Sequence, residues 1–141
     1  PYDVRRDDPY LVYDQLEFRV ASRDEGDALA RFRVGRAELR ESIGLVRQAL
    51  QGLPAGEVAL PPKPFARLPE GEAYVHIESA HGDAGVYLVS TGDRTPYRVK
   101  LRGPSFTLLI PVLEHLLVGV EVADVPVVFW SLNHCPADMD R

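Results

Sequence analysis

The sequence predicts an α+β fold, and three observations carry that prediction. A single apolar stripe recurs at helical spacing through the first third, three alternating segments follow between glycine turns, and two apolar segments lie near the end. The expected arrangement is a long N-terminal amphipathic helix, a three-stranded antiparallel meander and two apolar C-terminal helical segments. Residues 1–141 are read as a single domain with a proline-rich connection at 54–71, since 141 residues is the size of one ordinary domain.

Pro1 to Pro9 is dense in charge, with Asp3, Arg5, Arg6, Asp7 and Asp8, and reads as a loop or an arm against a neighbour. Tyr10, Tyr13, Leu16, Phe18 and Val20 follow without a clean period, and Glu17 to Val20 reads as a short strand. Ser22-Arg-Asp-Glu25 fits a capping box, in which a serine hydroxyl and a glutamate satisfy unpaired amides at a helix start. Leu29, Phe32, Leu39, Ile43, Val46, Leu50 and Leu53 then recur at spacings of three, four and seven. That pattern lays one apolar stripe along a long helix and predicts that the stripe faces the core. Gly52 and Pro54 stop the helix. Beyond it, Pro54, Pro61, Pro62, Pro64 and Pro69 predict an extended connection of polyproline character.

Ala73, Val75 and Ile77 alternate with Tyr74, His76 and Glu78, which predicts a strand. The nearly continuous apolar run from Gly85 to Ser90 predicts a second strand, buried on both faces. In the third, Tyr97, Val99 and Leu101 alternate with Arg98, Lys100 and Arg102, so one face should be buried and the other charged. His81-Gly82-Asp83 and Thr91-Gly92-Asp93 supply the turns of the meander. Gly103-Pro104 ends the third strand, because proline cannot donate to a sheet ladder. Phe106 to Val118 fits a buried helix or two pieces broken at Pro111, and Ala123 to Leu132 is a second apolar segment broken at Pro126. The polar ending from Asn133 has no predicted element.

Composition narrows the function. Apolar residues make up 45% and charged residues 26%, so the chain has the balance of a folded domain. A net charge of −5 argues against broad nucleic-acid binding, which needs a basic excess. Nowhere does an apolar run approach the ~18 residues of a membrane-spanning helix. The single cysteine, Cys135, excludes an internal disulfide and any multi-cysteine zinc or iron–sulfur site, and fits a reducing compartment. Pro1-Tyr2-Asp3 carries neither an initiating methionine nor a signal-peptide pattern, and reads as the start of a piece of a longer chain.

Candidate chemistry is sparse. His76, His81, His115 and His134 show no chelating spacing, and the His134-Cys135 pair supplies two metal-capable neighbours without further ligands, so no metal site is assigned. No catalytic residue is assigned, and the glycines spell no nucleotide-binding motif. The basic stripe Arg98, Lys100 and Arg102 has two readings: a face paired with Glu78 or Asp83 across the meander, or an anchor for an acidic partner surface.

Three linked motifs carry a resemblance: Glu78-Ser-Ala-His-Gly82-Asp-Ala-Gly85-Val-Tyr87-Leu-Val-Ser90, Pro96-Tyr97-Arg98-Val99-Lys100-Leu101-Arg102, and Pro104-Ser105-Phe106. Together they resemble the C-terminal part of the D subunit of NADH-quinone oxidoreductase, respiratory complex I, a family related to nickel–iron hydrogenase large subunits. Tyr2-Asp3-Val4-Arg5-Arg6, the long helix with Arg40-Glu41-Ser42, Ala123-Asp124-Val125, Ser131-Leu132 and the terminal Asp140-Arg141 are similar to the same family. The resemblance implies a part in electron transfer from NADH to quinone, as scaffold and as one wall of the quinone cavity. It implies quinone as the substrate, an iron–sulfur cluster in a neighbouring subunit, no cofactor bound by this chain itself, and a peripheral place on the cytoplasmic side of the cell membrane. Other respiratory subunits, especially the one with the terminal iron–sulfur cluster, are the implied partners.

By the same resemblance, Ser131, Leu132, Asn133, His134 and Cys135 are the quinone-cavity candidates, and Arg98, Lys100 and Arg102 the partner-contact candidates. This loop departs from the family's Ser-Leu-Asp-Pro pattern, with Asn133-His134 in place of Asp-Pro. Cys135 falls at the first cysteine of the hydrogenase loop and Asp138 at the second, so a nickel–iron centre is not implied. Two alternatives follow from the departures: a stand-alone structural or interaction module without redox activity, and an accessory subunit of a hydrogenase-like membrane complex.

Overall fold

The computed structural model describes residues 2–59, 61 and 67–140. Residues 4–7, expected to be a loop or an arm against a neighbour, form one helical turn, α1 (Val4–Asp7). Asp3 caps it, its Oδ1 accepting from the Arg5 amide at 3.0 Å. A 3-10 turn at Tyr13–Gln15 follows. Residues 17–20 then form no strand with the described residues, which corrects the expected strand there. Side chains of the long helix α2 (Ala28–Gly52) take the place of a neighbouring strand. Gln48 Oε1 accepts from the Glu17 amide at 2.9 Å while its Nε2 donates to the Glu17 carbonyl at 2.7 Å. Glu41 Oε2 accepts from the Arg19 amide at 3.1 Å. Backbone polar groups need partners, and here a helix surface supplies them.

Helix α2 forms where the apolar stripe places it, but its start differs. Asp27, not Ser22, is the N-cap: its Oδ1 accepts from the Ala30 amide at 2.6 Å. Gly26, at φ 72°, turns the chain into the cap in a conformation that favours glycine. Glu25 is left to accept from the neighbouring Asp24 amide.

The three strands form an antiparallel sheet in the order β1 (Gly71–Ser79), β2 (Gly82–Ser90), β3 (Arg98–Arg102). Val75 lies opposite Val86, which lies opposite Leu101; Tyr74, Tyr87 and Lys100 form the next row. The sheet therefore has one apolar face and one polar face, as the alternation predicts. Helix α3 (Pro104–Leu116) starts on a proline and continues through Pro111 as one helix. After a 3-10 turn at Val122–Asp124 come α4 (Val125–Ser131), with Pro126 in its first turn, and α5 (Pro136–Met139), which the polar ending had not announced. Helix α2 packs on α4, and α3 packs on α5 and β2. Among the described residues no helix is long and apolar enough to cross a membrane. Of the proline-rich connection, residues 60 and 62–66, including Pro62 and Pro64, lie outside the described residues.

Burial departs most from expectation. The α2 stripe was expected to face the core, yet Leu39 is 63% exposed and Leu50 66%, while Ala30 and Leu45 are the helix residues buried. Similarly β2 is not buried on both faces, since Val86 is exposed, and all of β3 is exposed. Among the described residues the buried hydrophobic set is Val4, Ala30, Leu45, Leu109 and Val128. The chain exposes 11066 Å², where a compact monomer of this mass exposes roughly 7,300 Å². The patterns are right and the covering is missing: the apolar faces are built for surfaces that these residues do not provide.

Replacing Asp27 by alanine is expected to weaken the start of α2 by about 1 kcal/mol, read as faster hydrogen exchange at residues 28–31 of the full-length subunit. Ser22→Ala should leave that exchange unchanged. Equal effects would restore the capping box.

Candidate functional site

A cleft of about 740 Å³ lies where four pieces of chain converge. The N-terminal segment brings Tyr2, Arg5 and Tyr13, α2 brings Arg31, Glu38 and Leu45, the β1–β2 hairpin brings Glu78 to Asp83, and the end of α4 with the loop after it brings Ser131, Leu132 and Asn133. Three of the five quinone-cavity candidates thus border one wall.

Two polar centres on β1 tie the wall together. Strand alternation sets Tyr74, His76 and Glu78 on one face. The Glu78 carboxylate accepts from both the Tyr10 and the Tyr13 hydroxyls, fixing the N-terminal segment to the sheet. Burial and then this carboxylate push the Tyr13 phenol up to about 12, and Tyr10 is raised for the same reasons. Both tyrosines are therefore neutral donors at neutral pH.

His76 stands between two carboxylates, with Nε2 at 2.7 Å from Asp8 and Nδ1 at 3.0 Å from Asp83. Both ring nitrogens must donate, so the arrangement favours the imidazolium, and Asp8 followed by Asp83 raises its pKa. Burial works to raise the Asp83 carboxyl, but the Arg102 guanidinium, 2.6 Å away, together with His76 outweighs it and holds Asp83 below the usual carboxylate range. Tyr74 stacks on the His76 ring at 5.7 Å. Residue type and spacing alone did not single out Tyr10, Tyr13 or His76. Their signal was the shared strand face of His76 and Glu78 and the three-residue spacing of the tyrosines.

The loop candidates separate by role. The Ser131 hydroxyl is spent on structure: it donates to the Val128 carbonyl at 2.6 Å and accepts from Arg31 Nε at 2.8 Å, pinning α4 to α2. Leu132 follows as the cap residue of α4. Asn133 adopts φ 53°, a left-handed conformation that asparagine tolerates better than most residues. Its Nδ2 donates to the Ala80 carbonyl at 2.9 Å, while its own carbonyl accepts from His81 Nδ1 at 2.7 Å. This clasp locks the loop to the β1–β2 turn and needs the amide nitrogen: a carboxylate there has no donor for Ala80.

His134 and Cys135 are not among the residues that line the cleft. Burial and the nearby His81 lower the His134 pKa, with Asp138 opposing. Its Nδ1 is buried and has no hydrogen-bond partner among the described residues. Cys135 contributes its amide, which donates to Ser105 Oγ at 3.2 Å. Asp138, in place of the second hydrogenase cysteine, instead caps α3: its Oδ2 accepts from the Ser105 amide at 2.8 Å. Gly103 permits this approach, since a Cβ there would sit 2.3 Å from Asp138 Oδ1. Among the described residues no three His, Cys, Asp or Glu side chains are grouped to hold a metal ion. Of the basic stripe, Arg102 joins the cleft network through Asp83, while Arg98 and Lys100 stand on the outer strand and form no ion pair with a described residue.

These features fall within a known family. The model for the respiratory-chain NADH dehydrogenase 49 kDa subunit matches residues 1–66 and 62–141, and the chain belongs to that family. The D subunit of the NADH-quinone oxidoreductase of Thermosipho melanesiensis is 41% identical over 145 residues, covering 100% of this chain and 40% of that protein. The D subunit of the F(420)H(2) dehydrogenase of Methanosarcina mazei is 38% identical over 147 residues, covering 100% and 39%. Among solved structures, a chain of the membrane-bound sulfane sulfur reductase, an archaeal respiratory membrane complex, superposes with a TM-score of 0.89 at 46% identity, covering 99% of this chain and 39% of that one. The chain therefore spans about two fifths of the length of these relatives.

The raised His76 pKa gives the N-terminal contact a pH dependence. The Asp8–His76–Asp83 contribution is complete below the ordinary histidine value of about 6.5 and is lost as pH rises through the raised value. Hydrogen exchange at residues 4–8 should quicken across that window in the full-length subunit, and His76→Gln should abolish the pH dependence. Separately, Gly103→Ala is expected to cost about 1–3 kcal/mol in the unfolding of the assembled subunit. Gly44→Ala, where an added Cβ meets nothing within 4 Å, should not destabilise it.

Proposed function

We propose that this chain is scaffold and partner-binding surface in a peripheral subunit of a respiratory membrane complex that transfers electrons from a reduced carrier to quinone. The observation that carries the reading is the uncovered apolar surface: the α2 stripe and the apolar sheet face are patterned for burial and remain open. Surfaces of that extent mark contacts with other polypeptide. Family membership supports the respiratory setting, because subunits of this kind are named for NADH-quinone oxidoreductase and F(420)H(2) dehydrogenase. On this reading residues 1–141 form one domain, with neighbours that include the subunit carrying the terminal iron–sulfur cluster, on the cytoplasmic side of the membrane. The loop Ser131–Asn133, with His134 and Cys135 behind it, borders the quinone side, and the Asn133 clasp holds that loop in place. Quinone is the substrate of the assembly; this chain positions a wall and supplies no cofactor ligand.

A second reading is favoured by one observation. The superposable chain at 46% identity belongs to a sulfane sulfur reductase, so the acceptor is a sulfane-sulfur compound and the missing carboxylate at Asn133 reflects a site not built for quinone. The remaining alternatives, an accessory subunit of a hydrogenase-like complex and a stand-alone interaction module, differ in what accompanies the chain.

Affinity capture of the native protein from gently solubilised membranes, followed by intact mass spectrometry, separates these. Co-purification with iron–sulfur and membrane subunits is expected; arrival alone would sink the respiratory reading in favour of the stand-alone module. The captured complex is then assayed with a quinone and with polysulfide. Reduction of quinone supports the first reading and reduction of polysulfide alone the second. Asn133→Asp should lower acceptor reduction several-fold by opening the clasp, and unchanged turnover would remove this loop from the mechanism.

A further inference from the structure

We infer that His81 hands a proton to the acceptor reduced in the cleft, with the Asn133 carbonyl fixing the ring so that Nε2 makes the transfer. The inference deepens the reading that this cleft borders the quinone side, and it rests on that reading. The acceptor is accordingly a quinone, whose two-electron reduction also consumes two protons.

His81 stands at the β1–β2 turn and lines the cleft. The turn is stapled from within: the His81 amide donates to Ser79 Oγ at 3.3 Å, and that hydroxyl donates to the Gly82 carbonyl at 3.0 Å. Nδ1 lies 2.7 Å from the Asn133 carbonyl oxygen. A carbonyl only accepts, so Nδ1 carries hydrogen whether the ring is neutral or charged. Proton exchange therefore falls to Nε2, which has no hydrogen-bond partner among the described residues. Holding the loop needs a single donor, which asparagine, serine or lysine also supplies. Histidine adds a second nitrogen that gains and loses a proton near neutral pH.

The other ionisable groups around the cleft are engaged elsewhere. In the N-terminal segment Arg5 is paired with Asp3 at 2.6 Å, and the Tyr2 and Tyr13 phenols, raised first by burial, keep their protons. On α2, Arg31 is held by Ser131 and the Gly26 carbonyl. On the hairpin, Glu78 is occupied by two tyrosine hydroxyls and Asp83 by His76 and Arg102. Glu38 is the rival, since burial raises its carboxyl, with Arg5 opposing and Asp3 adding to the rise. It lies seven residues along α2 from Arg31, which touches the loop, and that spacing is a rise of about 10 Å. Burial and the nearby His81 keep His134 neutral, so of the two histidines the one lining the cleft carries the proton.

In the step, two electrons reach the quinone from the reduced carrier through the neighbouring subunit's iron–sulfur cluster. As C=O becomes C–O, the Nε2–H bond breaks, an O–H bond forms and the imidazolium becomes neutral imidazole. Water entering the cleft supplies the second proton of the quinol and then recharges the ring.

The test uses the complex captured from membranes with its full-length subunit, assayed with a soluble quinone. His81→Asn keeps a donor for the Asn133 carbonyl and removes the exchanging nitrogen. It should lower kcat about a hundredfold while KM stays within roughly twofold. Wild-type kcat should fall on the alkaline side as His81 loses its proton. That limb should vanish in His81→Asn and persist in Glu38→Gln. In His81→Ala, which loses both nitrogens, added imidazole should restore turnover roughly tenfold, which a purely structural role would not allow. Wild-type kcat and pH profile in His81→Asn, loss of the limb in Glu38→Gln, or no rescue by imidazole would each overturn the inference while the quinone reading stands. A wild-type complex that reduces no quinone defeats that reading, and this inference with it.

Discussion

Among the described residues few hydrophobic side chains are fully buried, and that shortage shapes everything else. Apolar burial contributes about 25 cal/mol per Å², and Val4, Ala30, Leu45, Leu109 and Val128 are small contributors for so long a chain. The segments are tied instead by polar side chains that reach across long sequence separations. Glu78 takes two tyrosines from the N-terminal arm, Gln48 takes both backbone groups of Glu17, and Asp138 accepts from a helix-start amide 33 residues earlier. Each bond is modest in water, where a typical net contribution is roughly 1 kcal/mol. Their value lies in direction: they fix which segments meet, while the large apolar faces wait for other polypeptide.

That division explains what could be read from the residues. Helix α2 and the meander were legible because periodicity reports which side chains share a face, whether or not the face is covered. The covering was not legible. Leu39 and Leu50 have the same spacing on a core helix as on one presented to a partner, so the expectation of a buried stripe followed from a rule that assumes a complete domain. Glu17 to Val20 has strand-like residues, but its backbone partners are side chains of Gln48 and Glu41, which no local pattern reveals. At the start of α2 a serine-glutamate pair of suitable spacing lost to Asp27, which stands directly before the helix.

The site was half legible for a similar reason. The loop at Ser131–Cys135 was marked by its departure from a family pattern, and the structure divides it into a wall and a cap. Asn133 explains its own substitution: the left-handed backbone and the donor to Ala80 both suit an amide. Asp138 likewise has work, at the amino end of α3. The network of His76, Asp83 and Arg102 could be guessed only as far as one strand face opposing another. The contribution of Asp8 arrives from 68 residues away.

The clasp at Asn133 carries a consequence for the lifetime of the protein. Asparagine is among the thermolabile side chains, and spontaneous loss of its amide nitrogen yields aspartate, the residue that cannot donate to Ala80. Chemical ageing at this one position would therefore open the loop without any change in the gene. The left-handed turn, held by His81 from one side and Ala80 from the other, makes the durability of the cleft wall a matter of one amide bond.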